Sequence, residues 1–271
     1  MTASISEAMS ERARAREAME ATAPAYDLFT DHHDYETWTA AIEALARQHG
    51  LARRGRLLDV GCGTGKSFLP WLARGWSVTG CDFSAAMLEQ AAAKAPSARL
   101  IEADARSLGD IGRFDLVLLL DDVVNLVPTT DLVTVFGEAR RNLAPDGLVV
   151  FDLNTLRTFR TFFTAVEVRE RDGCVVSWTG KGCSDLGPGA VAEAVMETFV
   201  RDDVDGTWQR SRGTHREYHH PLPVAEQALT RAGLELAAVR GHDEQCRFDP
   251  EPDELAHSKL LVVARQPATR T

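Results

Sequence analysis

The sequence lacks the features that would place it in a membrane or in the secretory pathway. It contains no apolar run near the roughly 20 residues that a membrane-spanning helix requires. Its first residues are mostly alanine, glutamate and arginine without an apolar centre, so we predict no secretory signal. The five cysteines form no C-x-x-C pair, and an odd number without such a signal indicates reduced thiols and a cytoplasmic protein.

A basic surface for nucleic acid is missing as well. Acidic residues number 40 against 30 lysines and arginines, the formal charge is −10, and no basic run interrupts this balance. Proteins that bind RNA or DNA need a local cluster of positive charge. We therefore expect no nucleic-acid partner, and a small, neutral or cationic one instead.

A pattern of metal ligands is also absent. No cysteine or histidine stands at the spacing of a zinc site. The adjacent His32 and His33 cannot usually share one ion in a regular helix or strand, and no further ligand lies near them in the sequence. We predict no metal, and we interpret the two histidines as a polar approach to a pocket.

The most informative segment is an apolar strand followed by a glycine-rich turn. It reads Leu57-Leu58-Asp59-Val60-Gly61-Cys62-Gly63-Thr64-Gly65, and a second strand ends about 20 residues later at Asp82. Glycine lets backbone N–H groups approach a ligand closely, and the second acid can accept hydrogen bonds from ribose hydroxyls. The segment therefore predicts a βαβ unit that binds an adenosine-bearing cofactor.

The spacing within the turn separates three kinds of cofactor. A phosphate-binding P-loop would end as Gly65-Lys66-Ser67 does here, but its first glycine would fall on Val60. A dinucleotide fingerprint would place its third small residue at Lys66. The remaining pattern is D-x-G-x-G-x-G, and its carboxylate at Asp59 suits a cationic amino acid better than a pyrophosphate.

This segment resembles the first motif of the class I S-adenosylmethionine-dependent methyltransferases, which reads much like L-D-V-G-C-G-T-G. Phe114-Asp115-Leu116-Val117 resembles the F-D-x-V strand of that family, and the stretch from Leu143 to Gly147 resembles its L-x-P-G-G turn, with Asp146 for the first glycine. The resemblance covers roughly residues 25 to 265 and is nearest to the small-molecule subgroup, with glycine-type and aminosugar N-methyltransferases among its relatives. It implies S-adenosyl-L-methionine as the cofactor.

The resemblance also implies the reaction, which is methyl transfer to nitrogen, oxygen or aromatic carbon of a small-molecule acceptor. Secondary-metabolite biosynthesis is the expected setting. Two other functions stay open: a tRNA or rRNA methyltransferase, which the acidic balance disfavours, and a non-catalytic protein that binds S-adenosylmethionine. Neither the identity of the acceptor nor the choice between a monomer and a homodimer follows from the sequence.

The expected fold is α/β. Alternating strand and helix patterns from Leu57 to Phe151 predict a parallel sheet with right-handed crossovers, and four strand-like stretches between residues 165 and 219 predict an antiparallel sheet. Together with the resemblance, they predict a Rossmann-like, seven-stranded, doubly wound sheet with a small antiparallel insertion that covers the acceptor site. The predicted parts are an N-terminal tail or lid helix (1–24), a cofactor-binding core (25–155), the acceptor-site insertion (156–220), and a helix and closing hairpin that complete the core (221–271).

The resemblance implies which residues bind the cofactor. Asp82 takes the ribose hydroxyls, Phe83 packs on adenine, and Asp104 meets the adenine amino group. Leu120 or Asp121 lies near the methionine part, over which a tyrosine of the N-terminal region closes. The expected cofactor-binding residues are Tyr26, Asp59, Gly61, Gly63, Gly65, Asp82, Phe83, Met87, Asp104, Ala105 and Leu120.

Three segments are expected to converge on the acceptor above the C-terminal edge of the sheet. The acids that follow the fourth strand would bind an ammonium or orient a hydroxyl, and the phenylalanines after residue 154 either line a pocket or pack in the core. Strand alternation puts His215, Glu217 and His219 on one face, where an imidazole can take a proton near neutral pH. We predict His215, His219 and Asp122 as catalytic, and Tyr35, Asp121, Asn125, Asn154, Phe159, Phe163 and Glu217 as acceptor-binding.

Overall fold

The computed structural model describes residues 2–243 and 245–268, which form two β-sheets and the helices around them. The strands are β1 (Arg56–Val60), β2 (Ser77–Asp82), β3 (Arg99–Glu102), β4 (Phe114–Leu119), β5 (Leu143–Asn154), β6 (Val166–Arg171), β7 (Cys174–Gly180), β8 (Val191–Arg201), β9 (Trp208–Tyr218), β10 (Glu235–His242), β11 (Phe248–Asp249) and β12 (Lys259–Arg265). The helices are α1 (Thr2–Phe29), α2 (Tyr35–Gln48), α3 (Leu69–Ala73), α4 (Ala85–Lys94), α5 (Leu132–Arg141), α6 (Leu156–Thr161) and α7 (Leu222–Arg231). Two 3₁₀ turns, Thr129–Asp131 and Phe162–Thr164, precede α5 and follow α6.

The central sheet has the strand order β11-β10-β12-β5-β4-β1-β2-β3. Strands β1 to β5 pair in parallel, and β12 runs antiparallel between β5 and β10. The seven long strands confirm the predicted doubly wound sheet, and the two-residue strand β11 is an addition that the sequence pattern did not predict. Reversal of the strand order between β1 and β4 creates the crevice in which α/β proteins bind ligands.

The central sheet is covered on both faces, which explains the continuous apolar run of β4. Leu116 and Leu118 belong to the core layer beneath α2, α3 and α4, whereas Val117 and Leu119 belong to the layer beneath α5 and α7. All four side chains are fully buried. A strand buried on both faces shows no polar alternation because neither set of side chains meets water.

The helix after the glycine-rich turn is shorter than the sequence pattern predicted. The segment that ends at Gly75 predicts a helix over residues 66–74, but α3 begins only at Leu69 and ends at Ala73. Pro70 lies in its first turn, where the missing N–H group leaves no helical hydrogen bond unmade. The residues between Gly61 and Phe68 are therefore free to form the turn that faces the crevice.

The second sheet is antiparallel, with the order β6-β7-β8-β9, and it packs against α1. A Cβ atom on Gly213 of β9 would lie 2.8 Å from the Cα atom of Ala18 in α1, so only glycine permits this approach. Helix α1 also reaches α4, where the Glu20 carboxylate accepts hydrogen bonds from the backbone N–H groups of Ala85 (2.8 Å) and Ala86 (3.1 Å). A carboxylate at this position stabilises a helix start.

The N-terminal helix does not end at the predicted boundary. It continues through Pro24 to Phe29, so the described part of the predicted tail or lid is one helix with the start of the predicted core. No helix among residues 2–243 and 245–268 is long and apolar enough to cross a bilayer.

Candidate active site

A cavity of about 350 Å³ lies at the C-terminal edge of the central sheet, in the crevice defined by β1 and β4. The residues that follow β1, β2, β3 and β4 form one side of it, and α1 and the edge of the second sheet form the other. Its wall includes eleven residues of the cofactor half, namely Tyr26, Gly61, Gly63, Asp82, Phe83, Met87, Ala103, Asp104, Ala105, Asp121 and Val123. Nine of these eleven, all but Ala103 and Val123, were predicted as site residues from the sequence.

The glycine-rich turn has the backbone conformation that glycine alone adopts easily. Gly61 has a φ of 71°, and a Cβ atom on it would lie 2.4 Å from a methyl carbon of Val123. Gly65 has a φ of 86°, but it packs against Phe68 and Ala91 and is not on the cavity wall. Gly61 and Gly63 therefore present backbone to the cavity, while Gly65 closes the turn from behind.

Asp82 lies on the wall with both carboxylate oxygens held by the backbone. Oδ2 accepts a hydrogen bond from the N–H of Gly63 (2.8 Å), and Oδ1 accepts one from the N–H of Ser84 (2.9 Å). Burial raises the pKa of Asp82 to about 6, although these backbone bonds oppose the shift. The acid is thus fixed in one orientation and ionised at neutral pH.

Asp59 supports the turn from beneath. Its Oδ2 atom accepts a hydrogen bond from the Ser67 hydroxyl (2.6 Å), and its side chain is not on the described cavity wall. Burial raises the pKa of Asp59 to about 7. Leu120, also predicted for the cofactor, is packed in the core layer beneath α2.

Asp104 and Ala105 lie on the wall beyond β3, beside an arginine that the sequence analysis missed. The Arg106 guanidinium donates to both Asp104 oxygens, at 2.8 Å and 2.6 Å. Burial would raise the pKa of Asp104, but Arg106 holds it below its usual value. A ligand at this end would meet an ion pair and not a free carboxylate.

The two tyrosines predicted for the site, Tyr26 for the cofactor and Tyr35 for the acceptor, lie in different places. The Tyr26 ring is on the cavity wall, 3.9 Å from the position that a Cβ atom of Gly63 would take. Tyr35 is buried behind the wall, and its hydroxyl donates a 2.7 Å hydrogen bond to Oδ2 of Asp121. Tyr26 is thus the tyrosine that can contact a ligand in the cavity. Tyr35 does not reach the cavity, but its hydrogen bond holds Asp121, which does.

Asp121 and Asp122 follow β4 in an unusual conformation. Their φ angles are 62° and 75°, in the left-handed region that residues other than glycine rarely adopt. Asp121 is on the cavity wall, with the Nδ1 atom of His33 3.6 Å from its Oδ1. Burial would raise the pKa of Asp121, but the charges of His33 and Lys259 hold it well below its usual value.

Lys259 is buried among the carboxylates behind this turn. Its Nζ atom donates to Asp122 and, at 2.5 Å, to Asp152, and it lies 3.8 Å from Oδ1 of Asp121. Burial would lower the pKa of Lys259, but the three carboxylates raise it well above its usual value. The sequence analysis missed Lys259, for which the only signal is a lysine at the start of an otherwise apolar closing strand.

His215 is the predicted catalytic residue that the structure places on the cavity wall. Its side chain is buried, and Nε2 has no hydrogen-bond partner among the described residues. Burial lowers the pKa of His215 to about 4, so the imidazole is neutral at physiological pH. The alternation expected for β9 is confirmed, since His215 and Glu217 are buried while Thr214 and Arg216 are exposed.

The other predicted catalytic residues lie outside the described wall. Nε2 of His219 lies 2.9 Å from a carboxylate oxygen of Glu254, and its Nδ1 accepts from the N–H of Gly189 (3.2 Å). This histidine faces a separate small cavity beside α7. Asp122 follows the wall residue Asp121 in the sequence, but it is not on the wall itself, and its carboxylate is bound by Lys259.

A hydrogen-bond network behind the wall contains three residues predicted for the acceptor. Asn125 accepts from the N–H of Asn154 (2.9 Å) and donates to the carbonyl of Tyr218 (2.9 Å). The Asn154 amide donates to Glu217 at 2.7 Å. Burial and the nearby Asp122 raise the pKa of Glu217 well above its usual value. The network joins the end of β5 to β9 and positions the wall.

Phe159 and Phe163, predicted to line an apolar pocket, pack in the core instead. Both are fully buried in a cluster with Trp178 and Met196 of the second sheet, and neither lies on the described wall. Their spacing suits a helix face that packs against a sheet equally well, so the sequence could not separate the two arrangements.

The side of the cavity formed by α1 and β9 carries charged residues that the sequence analysis did not single out. Arg216 contacts Glu11 (3.0 Å) and Glu193 (2.6 Å), and Arg12 contacts Asp131 (3.3 Å). Arg14 also lies on this wall, where its charge acts on Glu11. The wall therefore offers a cation that a ligand can use.

Comparison with known proteins finds methyltransferases. Residues 57–147 match a family described as a methyltransferase domain. The putative methyltransferase YqeM of Bacillus subtilis is 35% identical over 80% of this chain and 86% of its own length. The dTDP-3-amino-3,6-dideoxy-alpha-D-glucopyranose N,N-dimethyltransferase of Streptomyces fradiae is 31% identical over 77% of this chain and 80% of its own length.

Solved structures share the fold. An S-adenosylmethionine-dependent methyltransferase from Clostridium acetobutylicum superposes with a TM-score of 0.73 at 20% identity, covering 89% of this chain and 96% of that one. DesVI from Streptomyces venezuelae superposes with a TM-score of 0.65 at 21% identity, covering 90% and 98%. The chain belongs to the class I S-adenosylmethionine-dependent methyltransferases. It is an enzyme, and its cofactor is S-adenosylmethionine.

The residues of the cavity fit this cofactor. Gly61 and Gly63 present backbone to the cavity, Asp82 presents a fixed carboxylate, and Asp121 presents a second one that carries charge. An adenosyl group with a cationic amino acid needs a backbone cradle, an acceptor for two hydroxyls and an anion for its ammonium.

Proposed function

We propose that this enzyme methylates the amino group of a small molecule, and that its acceptor is an amino sugar carried on a nucleotide. The cofactor supplies a methyl group already activated by its positive sulfur. Residues of the chain have to bind, orient the acceptor's lone pair and exclude water.

His215 is the observation that carries the choice of nitrogen. An amine can attack with its own lone pair, whereas a hydroxyl needs a base that removes its proton. A buried imidazole with a pKa of about 4 is far too weak a base to remove the proton of a hydroxyl. His215 therefore suits an acceptor that enters as a neutral amine, which needs no base before it attacks.

Two observations support a nucleotide-linked amino sugar. Relatives from two Streptomyces species bear names of N,N-dimethyltransferases that act on dTDP-linked 3-amino sugars. Arg14 lies on the cavity wall, and an arginine there suits a phosphate group. The acidic balance of the chain disfavours RNA as the acceptor.

The test is methyl transfer to paired acceptors. Purified enzyme with S-adenosylmethionine is given a dTDP-linked 3-amino sugar, the same nucleotide sugar with a 3-hydroxyl group, the free amino sugar, or bulk tRNA, and products are identified by mass spectrometry. We expect methylation of the nucleotide-linked amine and none of the hydroxyl compound. Equal methylation of the hydroxyl compound contradicts the choice of nitrogen, and turnover of tRNA alone contradicts the acceptor class.

Arg14 provides a sharper test of the nucleotide. R14Q should raise KM for the dTDP-linked amine about tenfold, corresponding to about 1.4 kcal/mol. R53Q, a matched change at an exposed arginine away from the cavity, should leave KM unchanged. Cofactor binding without turnover of any amine would favour the non-catalytic alternative.

A further inference from the structure

We propose that Lys259 is a positioning residue, which holds the Asp121–Asp122 turn so that the Asp121 carboxylate meets the ammonium of the cofactor's amino acid part. The inference concerns the cofactor, and it holds whichever acceptor the enzyme uses. Lys259 itself is not on the described cavity wall.

The position of Lys259 is fixed by the sheet. Its strand β12 lies between β10 and β5, where Lys259 pairs with His242 on one side and Asn154 on the other. From there the side chain extends past Asp152 of β5 to Asp122, which follows β4. Lys259 thus ties the last strand of the chain to the turn that borders the cavity.

The turn needs such a tie because its backbone is unfavourable. Two consecutive residues other than glycine have positive φ angles, and such conformations persist only where surrounding contacts enforce them. Lys259 binds Asp122 from behind, while the Tyr35 hydroxyl binds Asp121. The two contacts together leave Asp121 on the wall shared with Gly61 and Gly63.

Charge gives Lys259 a second effect on Asp121. A buried carboxylate close to other acids would take up a proton unless cations oppose it. His33 and Lys259 are the cations with the largest effect on Asp121, and the other ionisable groups whose charges act in this cluster are Tyr26, Tyr35, Asp59, Lys66, Asp82, Asp122, Asp152, Glu217 and His242. Loss of Lys259 should therefore favour a neutral Asp121, and more so as the pH falls.

Titration calorimetry with S-adenosylhomocysteine tests the proposal without an acceptor. K259M would leave two buried carboxylates unpaired, so K259M/D152N and K259Q are used, with thermal unfolding as the check that each variant is folded. We expect each to bind at least tenfold more weakly than the wild type at pH 7.5, and the deficit to grow at pH 5.5. D152N alone and K181M, an exposed lysine, should bind within threefold of the wild type.

A double-mutant cycle separates positioning from a general structural role. If Lys259 acts through Asp121, adding D121N to K259M/D152N should weaken binding little further, because the interaction is already lost. Full additivity of the two losses would overturn the proposal. So would wild-type affinity and pH dependence in either folded Lys259 variant. Failure of the wild-type protein to bind S-adenosylhomocysteine would instead contradict the cofactor site itself.

Discussion

Replacement of Asp82 by asparagine tests the cofactor site most directly. Both carboxylate oxygens already accept backbone N–H groups, from Gly63 and Ser84, and each retains a lone pair for a ribose hydroxyl. Asparagine keeps one acceptor oxygen and loses the charge. A hydrogen bond to a charged group contributes about 1.5–3 kcal/mol, so D82N should weaken binding of S-adenosylhomocysteine about 10- to 100-fold.

The pH dependence gives a second and independent readout. Burial raises the pKa of Asp82 to about 6, and the ionised form is the better acceptor for hydroxyl groups. Wild-type affinity should therefore be constant above that pKa and fall about tenfold by pH 5, as the protonated form comes to dominate. Asp59, with a pKa of about 7, also titrates in this range, so the meaningful quantity is the difference between wild type and D82N.

The assay is isothermal titration calorimetry with S-adenosylhomocysteine between pH 5 and pH 8. E89Q, at an exposed position of α4, is the matched control and should behave as the wild type. If D82N binds within threefold of the wild type and shows the same pH dependence, then Asp82 does not hold the ribose and the reasoning on this site fails.

Three further variants probe other parts of the site. G61A should abolish cofactor binding in a protein that still folds, because its Cβ would meet Val123 at 2.4 Å, and wild-type affinity by calorimetry would refute this. H215N should lower kcat/KM for the amine at least tenfold while leaving the affinity for S-adenosylhomocysteine unchanged, and a loss confined to affinity would contradict the proposed role. E217Q keeps the acceptor for Asn154 and removes an acid whose pKa burial raises. Ionisation of that acid costs stability as the pH rises above its unfolded value of about 4.3, so E217Q should become progressively more stable than wild type towards alkaline pH in thermal unfolding.

Local signals predicted the strands well. Gly75 and Pro96 end the helices that precede β2 and β3, and residue alternation set the strands of the second sheet to within one or two residues. Asp-Gly pairs marked two of its turns. The cofactor half of the cavity could be predicted from the sequence because its residues directly follow the parallel strands. The ends of those strands lie side by side at one edge of the sheet.

Contacts between distant parts of the chain were not predictable in the same way. Lys259 lies 107 residues beyond Asp152 in the sequence, and no local pattern pairs them. The charged residues of α1 on the cavity wall, such as Arg12 and Arg14, could not be predicted either, because their position depends on how that helix packs against the two sheets. Phe159 and Phe163 illustrate the opposite difficulty, since aromatic residues at helical spacing serve a pocket or a core equally well.

The contact between Gly213 and Ala18 holds together α1 and β9, the two elements that form one side of the chamber in which methyl transfer takes place. Backbone meets backbone there, so the two elements lie as close as the covalent geometry of the chain permits. A single added methyl group at Gly213, which is not on the cavity wall, would push α1 away from β9. Enzymes built on this scaffold can thus change the shape of the acceptor side through a substitution remote from every chemically active group.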